Sequence, residues 1–175
     1  MYRHRLAIYV TILLLFFAEL ILFDKLRIYG MKPEILLIVT IFFGFHFGIV
    51  RGMKIGAFCG ILKDLFSITA FGVNIFLFLL IGFLSGYLKD KLFKENFVTQ
   101  FLFSCFSVYI VWGIFSVGTG FFPAMKPAAI IASGTNLSPY AASIEAILYK
   151  GLYTGIFAPF LFLVLTRIFG PEHTA

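Results

Sequence analysis

The sequence predicts an all-α integral membrane protein, a compact bundle of six transmembrane helices. Hydrophobic residues make up 61% of the 175 residues and charged residues only 13%, whereas soluble globular chains average about 45–50% and about 25%. A soluble domain of this size leaves about a third of its surface in water and needs polar residues there. Composition therefore argues against a soluble enzyme and a nucleic-acid-binding domain, and makes the lipid bilayer the solvent.

Six apolar stretches approach the length of about 20 residues that crosses a bilayer as a helix. They form a single transmembrane domain and cover, in order, residues 6–23, 35–50, 52–69, 73–88, 97–122 and 141–169. Only Thr11 and Glu19 interrupt the first stretch. The third carries Lys54, Lys63 and Asp64, so five spans is the alternative if this stretch does not cross.

Lys and Arg residues in the connections predict the orientation. With the N-terminus inside, the cytoplasmic set is Arg3, Arg5, Arg51, Lys54, Lys89, Lys91, Lys94 and Arg167. The outer set is only Lys25, Arg27, Lys32 and Lys126. Both termini are therefore predicted to be cytoplasmic, as an even number of spans requires. The first span starts like a secretory signal, but no small-residue cleavage site follows it, so we expect it to be retained.

The sequence contains no recognisable catalytic constellation. His4, His46 and His173 are isolated, and neither a phosphate-binding loop nor a nucleophile-elbow motif occurs. Cys59 and Cys105 fall within predicted spans without metal-site spacing, so packing is the simpler interpretation. We therefore predict a protein that is not an enzyme and that needs no cofactor or metal.

Glycine recurs every fourth residue, at Gly44, Gly48, Gly52, Gly56 and Gly60. Residues four apart share a helix face, and glycine there lets two helix backbones approach closely. We expect the turn between the second and third helices at Arg51-Gly52, so the series belongs to two helices. Tight packing within the monomer is the favoured interpretation, and a docking face for another protein's helix is the alternative.

Five charged residues form a candidate cluster inside the predicted spans: Glu19, Lys63, Asp64, Glu145 and Lys150. Charges in lipid are costly unless they are paired or face a polar cavity. At a rise of 1.5 Å per residue, Glu19 and Asp64 lie roughly 18–20 Å from the cytoplasmic side, and Lys150 roughly 14 Å below the outer surface. We expect the three acids to pair with the two lysines around an outward-opening pocket capped by the loop 124–140. A buried structural charge network is the alternative.

A specific motif covers residues 32–92. Pro33-Glu34 opens the second span, glycines at 52, 56 and 60 lead to Asp64, and Gly72 precedes the next apolar stretch. This order resembles the MreD family of bacterial rod shape-determining proteins, which carries a Pro-acidic pair, then G-x-x-x-G-F-x-x-G-x-x-x-D and a further glycine. The motif residues carried over by the resemblance are Pro33, Glu34, Gly56, Gly60, Asp64 and Gly72.

The resemblance implies a non-catalytic inner-membrane subunit of the cell-elongation machinery. The implied partners are MreC and, indirectly, MreB and the RodA–penicillin-binding-protein peptidoglycan synthase. The implied fold is that of the substrate-binding subunits of energy-coupling-factor vitamin transporters. Such a subunit is also the alternative function, which the outward polar cluster favours. The first helix argues against it, because Ala7 is followed four residues later by Thr11 rather than by the alanine of a docking pair.

Overall fold

The computed structural model describes residues 2–21, 33–66, 72–89, 96–121 and 141–169. They form six helices: α1 (Tyr2–Ile21), α2 (Ile35–Phe47), α3 (Ile49–Leu65), α4 (Val73–Tyr87), α5 (Phe97–Phe121) and α6 (Ala141–Phe169). These residues contain no strand, so the all-α prediction is confirmed. The predicted capping loop 124–140 lies outside the described residues.

The second helix, α2, lies at the centre of the bundle. Its residues from Ile35 to Phe45 are all buried, and it contacts each of the other five helices. Its sequence is apolar apart from Thr40 and His46 in the last turn, and the Thr40 hydroxyl donates a hydrogen bond to the carbonyl oxygen of Leu36, 2.9 Å away. A helix that is apolar on all faces is stable only when other protein segments or lipid surround it. This explains why the short α2 occupies the interior.

The turn between α2 and α3 lies at Gly48, so the prediction of a turn at Arg51-Gly52 was wrong. Gly48 has φ +86° and ψ −177°, a backbone conformation that is essentially confined to glycine. Arg51 and Gly52 instead lie in the first turns of α3. The turn lies where one glycine adopts a positive φ. A charged residue such as Arg51 does not indicate which glycine that is.

The closest helix pair is the antiparallel pair α3–α4, in which glycine lies against backbone. A Cβ atom on Gly52 would lie 2.5 Å from the carbonyl oxygen of Gly82, and a Cβ on Gly60 would lie 2.5 Å from the Cα of Ile75. A Cβ on Gly56 would likewise meet the backbone of Phe78. These contacts are internal, and they support packing within the monomer over a docking face at these positions.

The remaining helices pack around α2 largely through aromatic side chains. On one side, α1 meets α3, where the ring centroids of Tyr9 and Phe58 are 5.0 Å apart. On the other side, α5 and α6 pack together, and the Cys105 thiol donates a hydrogen bond to the carbonyl oxygen of Gly151, 3.2 Å away. Phe162 of α6 fits against the rings of Phe42 and Phe45 on α2.

The described helices differ in how well their composition suits a membrane. Leu148–Phe169 in α6 is long and apolar enough to cross one, by length and composition alone. Four shorter apolar stretches occur among the described residues: Ile8–Ile21, Ile35–Phe47, Val73–Tyr87 and Phe97–Val111. The six crossings and the resemblance to transporter subunits therefore stay predictions.

Candidate functional site

A buried ion-pair network is centred on Glu34, the residue that precedes α2. The Glu34 side chain is only 7% exposed, and its Oε2 lies 2.9 Å from Nζ of Lys63 on α3. Nζ of Lys150 on α6 donates a hydrogen bond to the other oxygen, Oε1. An ion pair compensates the cost of burial only when geometry and hydrogen bonding are favourable. Here both carboxylate oxygens have an ammonium partner, so Glu34 joins α2, α3 and α6.

The last helix holds the backbone of Glu34 as well as its side chain. The hydroxyl oxygen of Thr154 accepts a hydrogen bond from the Glu34 backbone N–H at 3.3 Å. Lys150 and Thr154 are four residues apart and therefore lie on the same face of α6. This polar face attaches α6 to the start of the central helix.

Glu19 of α1 caps the N-terminus of α2 from a neighbouring helix. Its Oε2 accepts a hydrogen bond from the Leu36 N–H at 3.1 Å, and the residue is 5% exposed. The first N–H groups of a helix lack partners within the helix, and this end carries partial positive charge. Glu34 makes no side-chain capping bond of its own, so Glu19 supplies the negative charge.

Four charged residues from four segments therefore meet at one end of the bundle. Glu19 also acts electrostatically on Lys63, which brings its carboxylate into the same network. Two carboxylates, of Glu19 and Glu34, face two ammonium groups, of Lys63 and Lys150, so the set is neutral as a whole. The arrangement can hold helices together, and the lysines can also donate to a further acceptor.

Asp64 belongs to a second polar site, at the start of α4. Its Oδ2 accepts hydrogen bonds from the N–H groups of Gly72 at 2.9 Å and Ile75 at 3.2 Å. Its Oδ1 accepts two more from Asn74, through the backbone N–H at 3.2 Å and Nδ2 at 2.7 Å. Asp64 thus caps α4 as Glu19 caps α2, in each case from the end of the preceding helix.

The predicted pairing of Asp64 with the lysines was wrong. Successive residues on a helix point about 100° apart, so neighbours such as Lys63 and Asp64 face different elements. Lys63 faces Glu34, whereas Asp64 faces the N-terminus of α4. Glu145 lies in the first turns of α6, and its side chain is outside the described part of the chain.

Comparison with protein-family models shows which family has this sequence. The model for rod shape-determining protein MreD matches residues 3–168. The chain belongs to the MreD family. The match extends over nearly all of α1 to α6, well beyond the motif at 32–92. Searches of the curated proteins and of the solved structures each find no match.

Membership of the MreD family makes this a rod shape-determining membrane protein. MreD proteins are known as shape-determining proteins and not as enzymes. Besides Glu34 and Asp64, two residues of the MreD-like motif lie at the polar sites: Pro33 is buried directly before Glu34, and Gly72 is the αL residue that precedes α4, with φ +104°. Three others, Gly52, Gly56 and Gly60, lie in the α3–α4 contact.

The remaining glycines of the series have separate roles in the fold. Gly44 of α2 lies against Ser85 and Gly86 of α4, and Gly86 in turn lies against Ile49. Gly48 forms the turn between α2 and α3. Gly82 and Gly86 of α4 thus allow close contact with both α3 and α2. This explains the tight packing of these three helices.

The structure adds three polar residues to the site that the sequence reasoning did not place there. Glu34 was identified only as a motif residue, although its position directly before an apolar stretch places it at the start of a helix. Thr154 could have been recognised from its spacing of four residues from Lys150. Asn74 follows a helix-starting glycine, and only the fold brings it within hydrogen-bond distance of Asp64.

Proposed function

We propose that this protein is a non-catalytic inner-membrane subunit of the bacterial cell-elongation machinery. It binds MreC and helps to organise peptidoglycan synthesis, with indirect links to MreB and to the RodA–penicillin-binding-protein synthase. The match of residues 3–168 to the MreD family carries this proposal. The engagement of Glu34 and Asp64 in contacts between helices supports a scaffolding role, because these carboxylates serve the fold.

The proposed topology has six membrane crossings and cytoplasmic termini. The concentration of basic residues at one end of the bundle supports this topology. Lys89 lies 3.9 Å from where a Cβ of Gly48 would be, and the rings of Phe43 and Phe169 are 5.7 Å apart. These contacts bring together the C-terminal ends of α2, α4 and α6, which carry basic residues. They lie at the end of the bundle opposite Glu34. A basic end of this kind is typical of the cytoplasmic side.

The shortness of α2 does not oppose this topology. Its 13 residues rise only about 20 Å, against a hydrocarbon thickness of about 30 Å. A helix surrounded by protein need not match the bilayer, because its ends contact polar side chains and not lipid. Glu19, Glu34 and Thr154 provide such contacts at the start of α2.

Co-purification from mild detergent tests the proposed partner. The tagged full chain, expressed in a rod-shaped bacterium together with MreC, is expected to recover MreC in a fixed ratio. Recovery of transporter ATPase subunits without MreC would instead support the transporter function and overturn this one.

Two glycine variants sharpen the co-purification experiment. Gly82→Leu separates α3 from α4, and should abolish both MreC recovery and rod shape in cells that depend on this chain. Gly113→Leu is the matched control, because the same leucine side chain starts there from a Cβ with no neighbour within 4 Å. If the two variants recover equal amounts of MreC, the folded bundle is not what MreC recognises.

Reporter fusions test the topology separately. A fluorescent protein that folds only in the cytoplasm should be active when fused after residue 175. An alkaline phosphatase that folds only outside should be active after residue 131 and inactive after residue 93. The reverse pattern would exclude the proposed orientation, and active phosphatase at residue 93 would exclude six crossings.

A further inference from the structure

Two lysine ammonium groups share a single buried carboxylate at one end of the bundle. We propose that Lys63 and Lys150 form a binding site for a phosphate-type anion, either the headgroup of an anionic lipid or free phosphate. The inference rests on the membrane placement proposed above, but it does not depend on MreC binding.

The first argument is the number of hydrogen-bond donors. An ammonium group has three N–H donors, and among the described residues both lysines direct a polar contact to the same partner, Glu34. Nζ of Lys63 also lies 5.1 Å from the centroid of the Phe78 ring. Both oxygens of Glu34 are already engaged. The pair therefore has more donors than the carboxylate between them can accept.

The second argument is the local charge. Two ammonium groups flank Glu34, whereas the Glu19 carboxylate accepts its hydrogen bond from the N-terminus of α2, itself the positive end of a helix. Among the described residues, Glu34 is thus the one carboxylate that pairs directly with both lysines, although the four charged side chains are neutral as a set. Charges inside a membrane protein are costly unless they are paired, and a bound anion would give the two ammonium groups a second direct partner.

The third argument is accessibility. The side chains of Lys63 and Lys150 are 25% and 23% exposed, whereas that of Glu34 is 7% exposed. The carboxylate is thus buried between two side chains that ligands can still reach. Lysines close to a membrane interface extend their ammonium groups toward it, which is where lipid phosphates lie.

Phosphate chemistry fits these groups better than a carboxylate ligand does. Ammonium groups bind phosphate as point charges and do not require the planar, two-pronged geometry that suits arginine and carboxylate. The several oxygens of one phosphate can accept from both lysines at once. The other described basic residues, including Arg51, Lys54 and Arg167, lie toward the opposite ends of their helices and serve as controls.

The test measures the thermal unfolding midpoint of the full chain in neutral detergent. One arm adds dioleoylphosphatidylglycerol, with dioleoylphosphatidylcholine as the zwitterionic control. The other adds inorganic phosphate, with sodium chloride at equal ionic strength. A rise in the midpoint with phosphatidylglycerol alone identifies the lipid headgroup as the ligand, and a rise with phosphate alone identifies the free anion.

Variants separate a specific site from general charge. In Lys150→Gln the anion concentration for half of the shift should rise at least about tenfold, the loss expected for one charge-assisted hydrogen bond. Lys54→Gln, an exposed lysine on α3, should keep the wild-type value. The proposal would be overturned if wild type and Lys150→Gln needed the same anion concentration for half of the shift. It would also be overturned if the unfolding midpoint did not shift in either arm.

Glu34→Gln distinguishes binding from a purely structural role of the lysines. Without anion this variant should unfold at a lower temperature than wild type, because two ammonium groups lose their counter-charge. With anion its shift should exceed that of wild type, because the anion replaces the carboxylate. The Glu34→Gln measurement is informative even if Lys150→Gln does not fold. An anion-induced shift of the Glu34→Gln midpoint no larger than that of wild type would contradict the proposal. Failure here leaves MreC recovery unaffected, so the two proposals are tested independently.

Discussion

Asp64 accepts two hydrogen bonds from Asn74, one from the backbone N–H at 3.2 Å and one from Nδ2 at 2.7 Å. The two residues lie at the end of α3 and the start of α4, and two further N–H groups donate to the same carboxylate. A buried carboxylate with four donors is well compensated for its loss of water. The costly buried charge of the family motif thus has a structural explanation, as a cap between successive helices.

Replacing Asp64 by alanine should strongly destabilise the fold. The change leaves the N–H groups at the start of α4 without their acceptor, which we expect to cost about 3–4 kcal/mol. Thermal unfolding in detergent measures the loss. Asn74→Ala is the matched control, because it removes only one side-chain bond, worth about 1 kcal/mol. Equal losses for the two variants would show that the backbone bonds to Asp64 contribute little.

The contacts of Glu34 predict which charge pairs are coupled. Removing one partner of a buried ion pair costs about 3–5 kcal/mol, so Glu34→Gln should be clearly destabilising on its own. In a double-mutant cycle, Glu34 and Lys63 should show a coupling energy of at least about 1 kcal/mol. Asp64 and Lys150, measured in the same way by unfolding in detergent, should add independently. Coupling between Asp64 and Lys150 would contradict the separation of the two polar sites.

The α3–α4 contact predicts a strong effect of even one methyl group. Gly82→Ala places a Cβ against the carbonyl oxygen of Gly52, so the helices must move apart at a cost of at least about 2 kcal/mol. Gly113→Ala, which meets no neighbour, should be neutral or stabilising by up to about 1 kcal/mol. Unfolding midpoints and the yield of monodisperse protein report the difference. A neutral Gly82→Ala would contradict a close backbone contact between α3 and α4.

The two glycines with positive φ should differ in their tolerance of alanine. Gly72 is in the αL region with open space around it, so Gly72→Ala should cost only the backbone penalty of about 1–2 kcal/mol. Gly48, with ψ −177°, lies in a region nearly closed to other residues, and Gly48→Ala should cost about 3 kcal/mol. Unfolding of both variants in one detergent tests the order, and the reverse order would show that the turn at Gly48 can relax.

Local sequence patterns were sufficient for the helices but not for their partners. The apolar stretches located the six helices of the described residues, because a run of hydrophobic residues between polar connections is a local property. The turn at Gly48 was misplaced, because several glycines at equal spacing are equivalent until one of them adopts a positive φ. The predicted depths bring Glu19, Asp64 and Lys150 to a similar level, but depth does not specify the direction in which a side chain points.

The sequence by itself determined that this is a membrane protein and where its helices lie. Through the motif from Pro33 to Gly72 it also indicated the family. Composition, hydrophobic runs and motif spacing are all read along the chain and need no knowledge of neighbours. The tertiary structure decided that Glu34 receives both lysines and that Asp64 caps α4. Those pairings depend on how each helix is rotated about its axis around α2, and packing between distant segments fixes that rotation.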